Sequence, residues 1–512
     1  MGADELTTHF IKNKQQLIDN GTTNWNRDAR SLLLSLFELG LVSVDPYASV
    51  KNHVAIRENK VIFQKKNDEH LEFTINQDTR IFIIGAGKAT GRMAQSIEVI
   101  LGNRITDGIV ILPESQLKKE NIDLKYIKIY SGGHPIPNEE GFNGAKEIVQ
   151  ISKNISKNDL VICLISGGGS ALFSYPADEI TLQELKHMNG VLLECGASID
   201  EINTIRKHVS NIKGGKLAKH FFPAQIISLI LSDVVGDDLS TIASGLTVGD
   251  PTTFNDALEI VKTKNLKDKF PNSIIKHLLK GANKEIEETP KPGDLIFDNV
   301  TNITIGSAEV AAKAMHDKII EEREDIDPIL VVNDLHGEAR EVGKKIGEII
   351  GGILRGRESF TFKGEGGYFQ DKQITLHMGE KNKNSLLILT GELTVTIHGN
   401  GKGGRNQEML LGCFNAKEFE EVKENFAILS CGMDGIEGNS PAAGGIIDNK
   451  TFSTAKTKEM DYKTFLKDND SYGFFNILGD SIITGPTGTN VNDITLILLE
   501  RDIKKLAIER VK

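Results

Sequence analysis

The sequence predicts an α/β protein with two Rossmann-like three-layer domains and a cleft between them. Three observations lead there. Short apolar runs alternate with amphipathic helical runs along most of the 512 residues, the pattern of a mainly parallel sheet covered on both faces. Glycine-rich turns follow several of the apolar runs directly, where open α/β sheets place ligands. A charged stretch at 264–298, carrying Pro271, Pro290 and Pro292, interrupts the alternation, and its end divides the chain into domains at 1–298 and 299–512.

Residues 28–42 set Leu32, Leu33, Leu34, Leu36, Phe37 and Leu41 at helical spacing. The charged residues 52–72 read as a short hairpin or loop. Strands are then expected at 80–84, 108–112, 126–130, 160–165 and 225–231, with helices at 90–101, 141–151, 182–195 and 199–208. Past 298 the alternation resumes, with strands at 303–305, 329–332, 386–389 and 426–429 and helices at 308–322 and 339–354. No internal repeat or low-complexity tract appears in the sequence.

Lys and Arg number 60 against 71 Asp and Glu, a net charge of -11. That argues against nucleic acid as a partner, because phosphate-backbone binding needs a basic face. Any anion site must therefore use local cations and backbone amides. The cysteines (Cys163, Cys195, Cys413, Cys431) are far apart and form no C-x-x-C pair, which points to buried free thiols in a reducing compartment rather than zinc or disulfides. The first residues carry Asp4 and Glu5 with no apolar leader, Leu6 breaks a myristoylation pattern, and no apolar run reaches membrane-spanning length. A cytoplasmic protein with no membrane partner, as monomer or homodimer, is expected.

The motifs are glycine turns and strand-end charges. Gly399-Asn400-Gly401-Lys402-Gly403-Gly404-Arg405-Asn406 bares backbone N–H groups around two cations, a place for phosphate or carboxylate held by Gly403, Gly404, Arg405 and Asn406. Gly85-Ala86-Gly87-Lys88-Ala89-Thr90-Gly91 follows a strand and opens a helix. It is either a variant dinucleotide turn with Glu114 as the ribose acid, or a turn in which Gly87 and Lys88 face an anion, or a plain tight turn. Ser166-Gly167-Gly168-Gly169-Ser170 offers consecutive amides and two hydroxyls to phosphate, or else marks a close crossing of backbones. Residues 203–216 gather a basic patch in which Arg206 and Lys213 stand out. After the strand at 225–231, Asp233 and Asp237 are candidate Mg²⁺ ligands, with helix capping as the other use of Asp237. Ser244 lies in a string that can close the same site. Asp434, at a strand end, is a candidate base or a turn residue.

The ordered strings GAGKAT, SGGHPIP, LISGGGSAL, INTIRKHVSNIKGG, SLILSDVVGD, GNGKGGRNQE, AAGG and GPTGTNVND resemble the glycerate 2-kinases built from a glycerate kinase domain and a MOFRL domain, here about 385–499. The resemblance runs from about Arg30 to Leu499. It implies ATP-dependent phosphorylation of glycerate at the 2-hydroxyl with Mg²⁺, and it places the family's key basic residues on Lys88 and Arg405. Arg405 then suits the glycerate carboxylate, Lys88 the transferring phosphoryl group, Gly167, Gly168 and Gly169 the ATP phosphates, and Asp434 the 2-hydroxyl proton. On this reading Arg405→Ala abolishes most turnover without unfolding the chain. The competing enzyme is an NAD(P)H-dependent hydroxypyruvate reductase using the Gly85–Gly91 turn. A sensor binding a phosphorylated metabolite is the non-enzymatic alternative.

Overall fold

The structure is a computed structural model that describes residues 10–65, 69–119, 122–355, 359–363, 373–377, 383–420 and 422–500. The opening residues, in which the sequence suggests no leader, lie outside this range. The chain forms two compact units, one of residues 45–306 and one joining 1–44 to 307–512.

In the 45–306 unit the helix Pro46–His53 leads into Val54–Arg57 (β1), Lys60–Gln64 (β2) and His70–Thr74 (β3), a three-stranded antiparallel meander where the sequence suggests a hairpin or loop. Its main sheet comprises Ile81–Ala86 (β4), Ile105–Pro113 (β5), Lys128–Gly132 (β6), Leu160–Ser166 (β7), Gln225–Leu231 (β8) and Val300–Gly306 (β9). All six are parallel, in the order β6-β5-β4-β7-β8-β9. Chain direction across the sheet therefore reverses between β4 and β7, which opens a crevice beyond their carboxyl ends. Every residue of β4 and β7 is buried, as two-sided helical cover requires.

The segment read as a boundary is partly helical. Asn272–Ala282 buries Ile274 and Leu278 in one cluster with the helices Leu182–Glu194, Ile199–His208 and Phe254–Thr263. β9 follows it and pairs with β8, so this unit closes at Gly306 rather than at 298.

The other unit holds Ile326–Glu338 (β10), a hairpin of Ser359–Lys363 (β11) and Gln373–His377 (β12), and Asn384–Thr394 (β13), Phe426–Gly432 (β14), Gly444–Asp448 (β15), Ser481–Ile482 (β16) and Asp493–Leu499 (β17). Its sheet runs β10-β13-β17-β14-β15-β16. It is α/β, but only β10 and β13 are parallel, because β17 enters antiparallel between β13 and β14. Leu387, Leu389, Ile428 and Ile497 face one helical layer with Ala339–Leu354 and Arg405–Gly412, and the alternate residues Leu386, Ile388, Leu429 and Leu496 are buried as well. Cys163, Cys413 and Cys431 are buried free thiols, and Cys195 is half-buried.

The N-terminal helix Asn24–Ser43 is tied into this unit by a charge. Arg30, 2% exposed, donates from Nε to Asp448 Oδ2 at 2.7 Å, from Nη1 to Asp480 Oδ1 at 2.6 Å and to the Leu17 carbonyl at 3.1 Å. Removing it strands two buried carboxylates. Arg30→Met is expected to cost about 3–5 kcal/mol in urea unfolding, and adding Asp448→Asn and Asp480→Asn should recover most of that loss.

Candidate active site

In the 45–306 unit, register sets the turns after β4 and β7 side by side, since Ala86 pairs with Ile165. Lys88 N donates to the Gly167 carbonyl at 2.8 Å, and Ala89 N to Ser166 Oγ at 3.0 Å. Gly87 has φ +151°, and a Cβ there would stand 2.0 Å from Ser166 Oγ, so glycine is demanded both by conformation and by space. Gly168 has φ +81°, and a Cβ on it would touch the His134 ring at 3.0 Å and Lys88 Cγ at 3.3 Å. Lys88, His134 and the Gly168 backbone thus form one cluster. Lys88 is half-buried, and its ammonium has no carboxylate partner among the described residues. Burial and the Lys88 charge draw the His134 imidazole down to about 4, so it is neutral at pH 7. The N–H groups of Gly168 and Gly169 meet no protein acceptor among the described residues.

The basic patch at 203–216 sorts into structural and available charges. Lys207 pairs with Asp250 at 3.4 Å and His208 with Glu288 at 2.9 Å. Lys216 donates to the carbonyls of Lys207 and Ser210. Lys213 is buried and donates to the carbonyls of Ser170 (2.8 Å) and Phe173 (3.1 Å). Burial first, and then the Arg206 charge, pulls Lys213 down to about 7. Its ammonium holds the Ser170 turn in place. Arg206 donates from Nε to Asn189 Oδ1 at 2.9 Å and has no carboxylate partner among the described residues. Burial pulls it below the usual guanidinium range.

Beyond β8, Asp233 and Asp237 are half-buried, and Asp237 has φ 53°. Asp238, their neighbour, accepts from Ser240 and Thr241 and is a turn-forming group. No group of three or more His, Cys, Asp or Glu side chains is arranged to hold a metal among the described residues.

In the other unit, the 399–406 turn borders a cavity of about 870 Å³ that Arg405, Asp434, Ile436 and Asp493 also line. Most of the turn's amides are already engaged. Gly399 N bonds Asn469 Oδ1, Asn400 N bonds Asp468 Oδ1, Lys402 N bonds Asp470 Oδ1 and Gly403 N bonds Asn439 Oδ1. Asn406 N and Gln407 N donate to the two carboxyl oxygens of Glu437 at 2.8 and 3.1 Å. The glycines here admit close backbone approach: a Cβ on Gly399 would lie 2.3 Å from the Asp468 carbonyl and one on Gly403 2.0 Å from Ser471 Oγ. Arg405 is likewise engaged, through Nε and Nη2 with Asp493 and through Nη1 with Glu392 at 2.8 Å. Sequence reasoning missed both Glu437 and the Asp493 pairing, since neither partner is near in the chain. Asp434 accepts from Ile436 N at 3.2 Å and sits near Asp493 across Gly432.

Two consequences are measurable. Arg405→Ala leaves the buried Asp493 without its cation, so stability is expected to fall by about 3 kcal/mol rather than stay constant, and Asp493→Asn in the same chain should restore the urea midpoint. Burial, against the two amide bonds, pushes Glu437 up to about 8. The folded state then holds a proton that the unfolded state releases near its ordinary value, so this contribution is full below that value and is lost as pH rises through about 8. Glu437→Gln should flatten the fall of thermal midpoint between about pH 5 and 9.

Comparison with known proteins also finds two regions in the chain. Residues 32–279 match a domain of unknown function (DUF4147) and residues 385–493 match the MOFRL family. A glycerate 2-kinase of Pyrococcus horikoshii is 39% identical over 474 residues, 92% of this chain and 98% of that one. A D-glycerate 2-kinase of Thermotoga maritima is 35% identical over 420 residues, 82% of this chain and 91% of its own. The crystal structure of a Thermotoga maritima glycerate kinase superposes with a TM-score of 0.74 at 31% identity, covering 92% of this chain and 99% of that one. The chain belongs to the glycerate 2-kinase family that joins a DUF4147 region to a MOFRL region.

Proposed function

We propose that the protein transfers the γ-phosphoryl group of ATP to the 2-hydroxyl of D-glycerate, giving 2-phosphoglycerate and ADP. The observation that carries this reading is the Lys88 ammonium, without a carboxylate partner among the described residues, beside the open amides of Gly168 and Gly169, in a chain of this family. In the transfer the 2-oxygen bonds to the γ-phosphorus, the bond from that phosphorus to the β,γ-bridging oxygen breaks, and the hydroxyl proton passes to a base. Charge on the phosphoryl oxygens peaks at that point, so preset cations and N–H donors act mainly by electrostatic stabilisation and positioning.

Lys88 neutralises the transferring group, while Gly168 and Gly169 donate their N–H groups to phosphate oxygens. Ser166 and Gly167 fix the Lys88 turn through the bonds described above, and Lys213 fixes the turn at Ser170. Mg²⁺, when bound, supplies charge neutralisation at the β- and γ-phosphates. With no three-ligand protein cluster for it among the described residues, the ion would fit one or two carboxylates plus nucleotide oxygens, and Asp233 and Asp237 are the carboxylates suited to it. Arg405 is engaged by two carboxylates, which argues against the glycerate-carboxylate part read from the sequence. With Asp493 and Glu392 on three of its N–H groups, it has only the remaining Nη1 and Nη2 hydrogens to offer. Asp434 is the assigned base.

A mixture of ATP, Mg²⁺ and D-glycerate is expected to yield ADP and 2-phosphoglycerate by phosphorus NMR. Oxidation of NADH with hydroxypyruvate, with no ADP formed, would establish the reductase instead. Lys88→Ala should lower kcat by about 10²–10³ with an unchanged thermal midpoint, because it breaks no ion pair.

A further inference from the structure

Beside Lys88, three polar side chains of the 45–306 unit form a hydrogen-bonded line with a direction. Ser170 Oγ lies 2.8 Å from Ser244 Oγ, and Ser244 Oγ donates to Asn203 Oδ1 at 3.0 Å. A hydroxyl has one proton, so Ser244 spends its own on Asn203 and Ser170 donates to Ser244. The line ends on the two N–H bonds of Asn203 Nδ2. These find no acceptor among the described residues, although Asn203 is only 4% exposed, and a buried amide is costly to leave unpaired.

The backbone at Ser244 is held against its preference. Ala243 and Ser244 have φ 49° and 59°, a region that residues with a side chain seldom occupy. Gly214 N and Gly215 N clamp the carbonyls of Ser244 and Gly245 at 3.1 and 2.7 Å. One helical turn beyond Asn203 is Arg206, a half-buried guanidinium that faces no carboxylate among the described residues. An orphaned amide and a cation with no carboxylate partner among the described residues thus stand one helical turn apart, and both are satisfied by a bound anion.

We infer that Asn203 and Arg206, positioned by Ser244 and Ser170, form the pocket for the carboxylate of the hydroxy-acid substrate. This rests on the kinase reading above. Both groups are planar donors, which match a planar carboxylate, whereas the Gly168 and Gly169 amides with Lys88 suit phosphoryl oxygens. The two places adjoin. Gly169 and Ser170 are consecutive, and a Cβ on Gly169 would lie 2.9 Å from Ala243 Cβ. A substrate whose carboxyl and reacting hydroxyl sit on neighbouring carbons needs such closeness.

The test is steady-state kinetics on the full chain. Asn203→Leu, nearly equal in volume, should raise KM for D-glycerate about tenfold or more and leave KM for ATP within about twofold. Ser244→Gly removes the hydroxyl and relieves the backbone, so it should raise the thermal midpoint while still raising KM for D-glycerate. A purely structural role does not produce that pair of changes, and this variant serves if Asn203→Leu does not fold. A rise in KM for ATP instead, or no change in either KM, overturns the assignment. If the wild-type protein turns over no glycerate, the kinase reading fails by itself. Calorimetry with D-glycerate then decides the pocket: binding lost in Asn203→Leu or Ser244→Gly supports it, while no wild-type binding, or equal binding in wild type and variants, overturns it.

Discussion

The contact between the turns that leave β4 and β7 is the constraint on which the 45–306 site depends. Parallel pairing sets Ala86 against Ile165, which carries Gly87 onto Ser166 with no room for a side chain. Lys88 N then bonds the Gly167 carbonyl, and the Lys88 side chain passes alongside Gly168. The ammonium, the amides of the second turn and the hydroxyl of Ser170 are placed by one strand register. The strand order makes this possible, because the two neighbouring strands send their chains to opposite sides and leave their shared edge uncovered.

Two glycine turns of similar composition do opposite work. At 167–169 the backbone amides point to no protein acceptor among the described residues, and the nearest cation is unpaired. At 399–404 Asp468, Asn469, Asp470 and Asn439 occupy the amides, and Glu437 occupies those at the start of the following helix. Glycine is required in both, for exposure in one and for close approach in the other. Four glycines in six residues announce bare backbone, but which groups come to cover it depends on segments 31 to 70 positions away in the chain.

Charge follows the same division. Among the described residues, Lys88 and Arg206 stand without carboxylates, although the protein has a net charge of -11. Arg405, the cation that sequence ranks beside Lys88, instead anchors Asp493 and Glu392. β17 accounts for this: its first residue pairs with Gly391 and with Gly432, so Asp493 arrives between Glu392 and Asp434.

Periodicity alone determined the helices Thr90–Leu101, Ile199–His208, Ala308–Glu322 and Ala339–Leu354 and the strand Gln225–Leu231 to the residue, because an apolar stripe reports the local repeat of the backbone. The family, and with it the reaction, was legible from the order of the glycine strings. Strand direction in the second sheet was not, since an apolar run such as Asp493–Leu499 reads the same whichever way it enters. Nor was the sorting of the basic patch, or the fate of Asn203 Nδ2, legible in advance. A hydrogen bond or ion pair across many positions leaves no periodic trace, so only the tertiary structure decided which charges and amides are spent on the fold and which are left for a ligand.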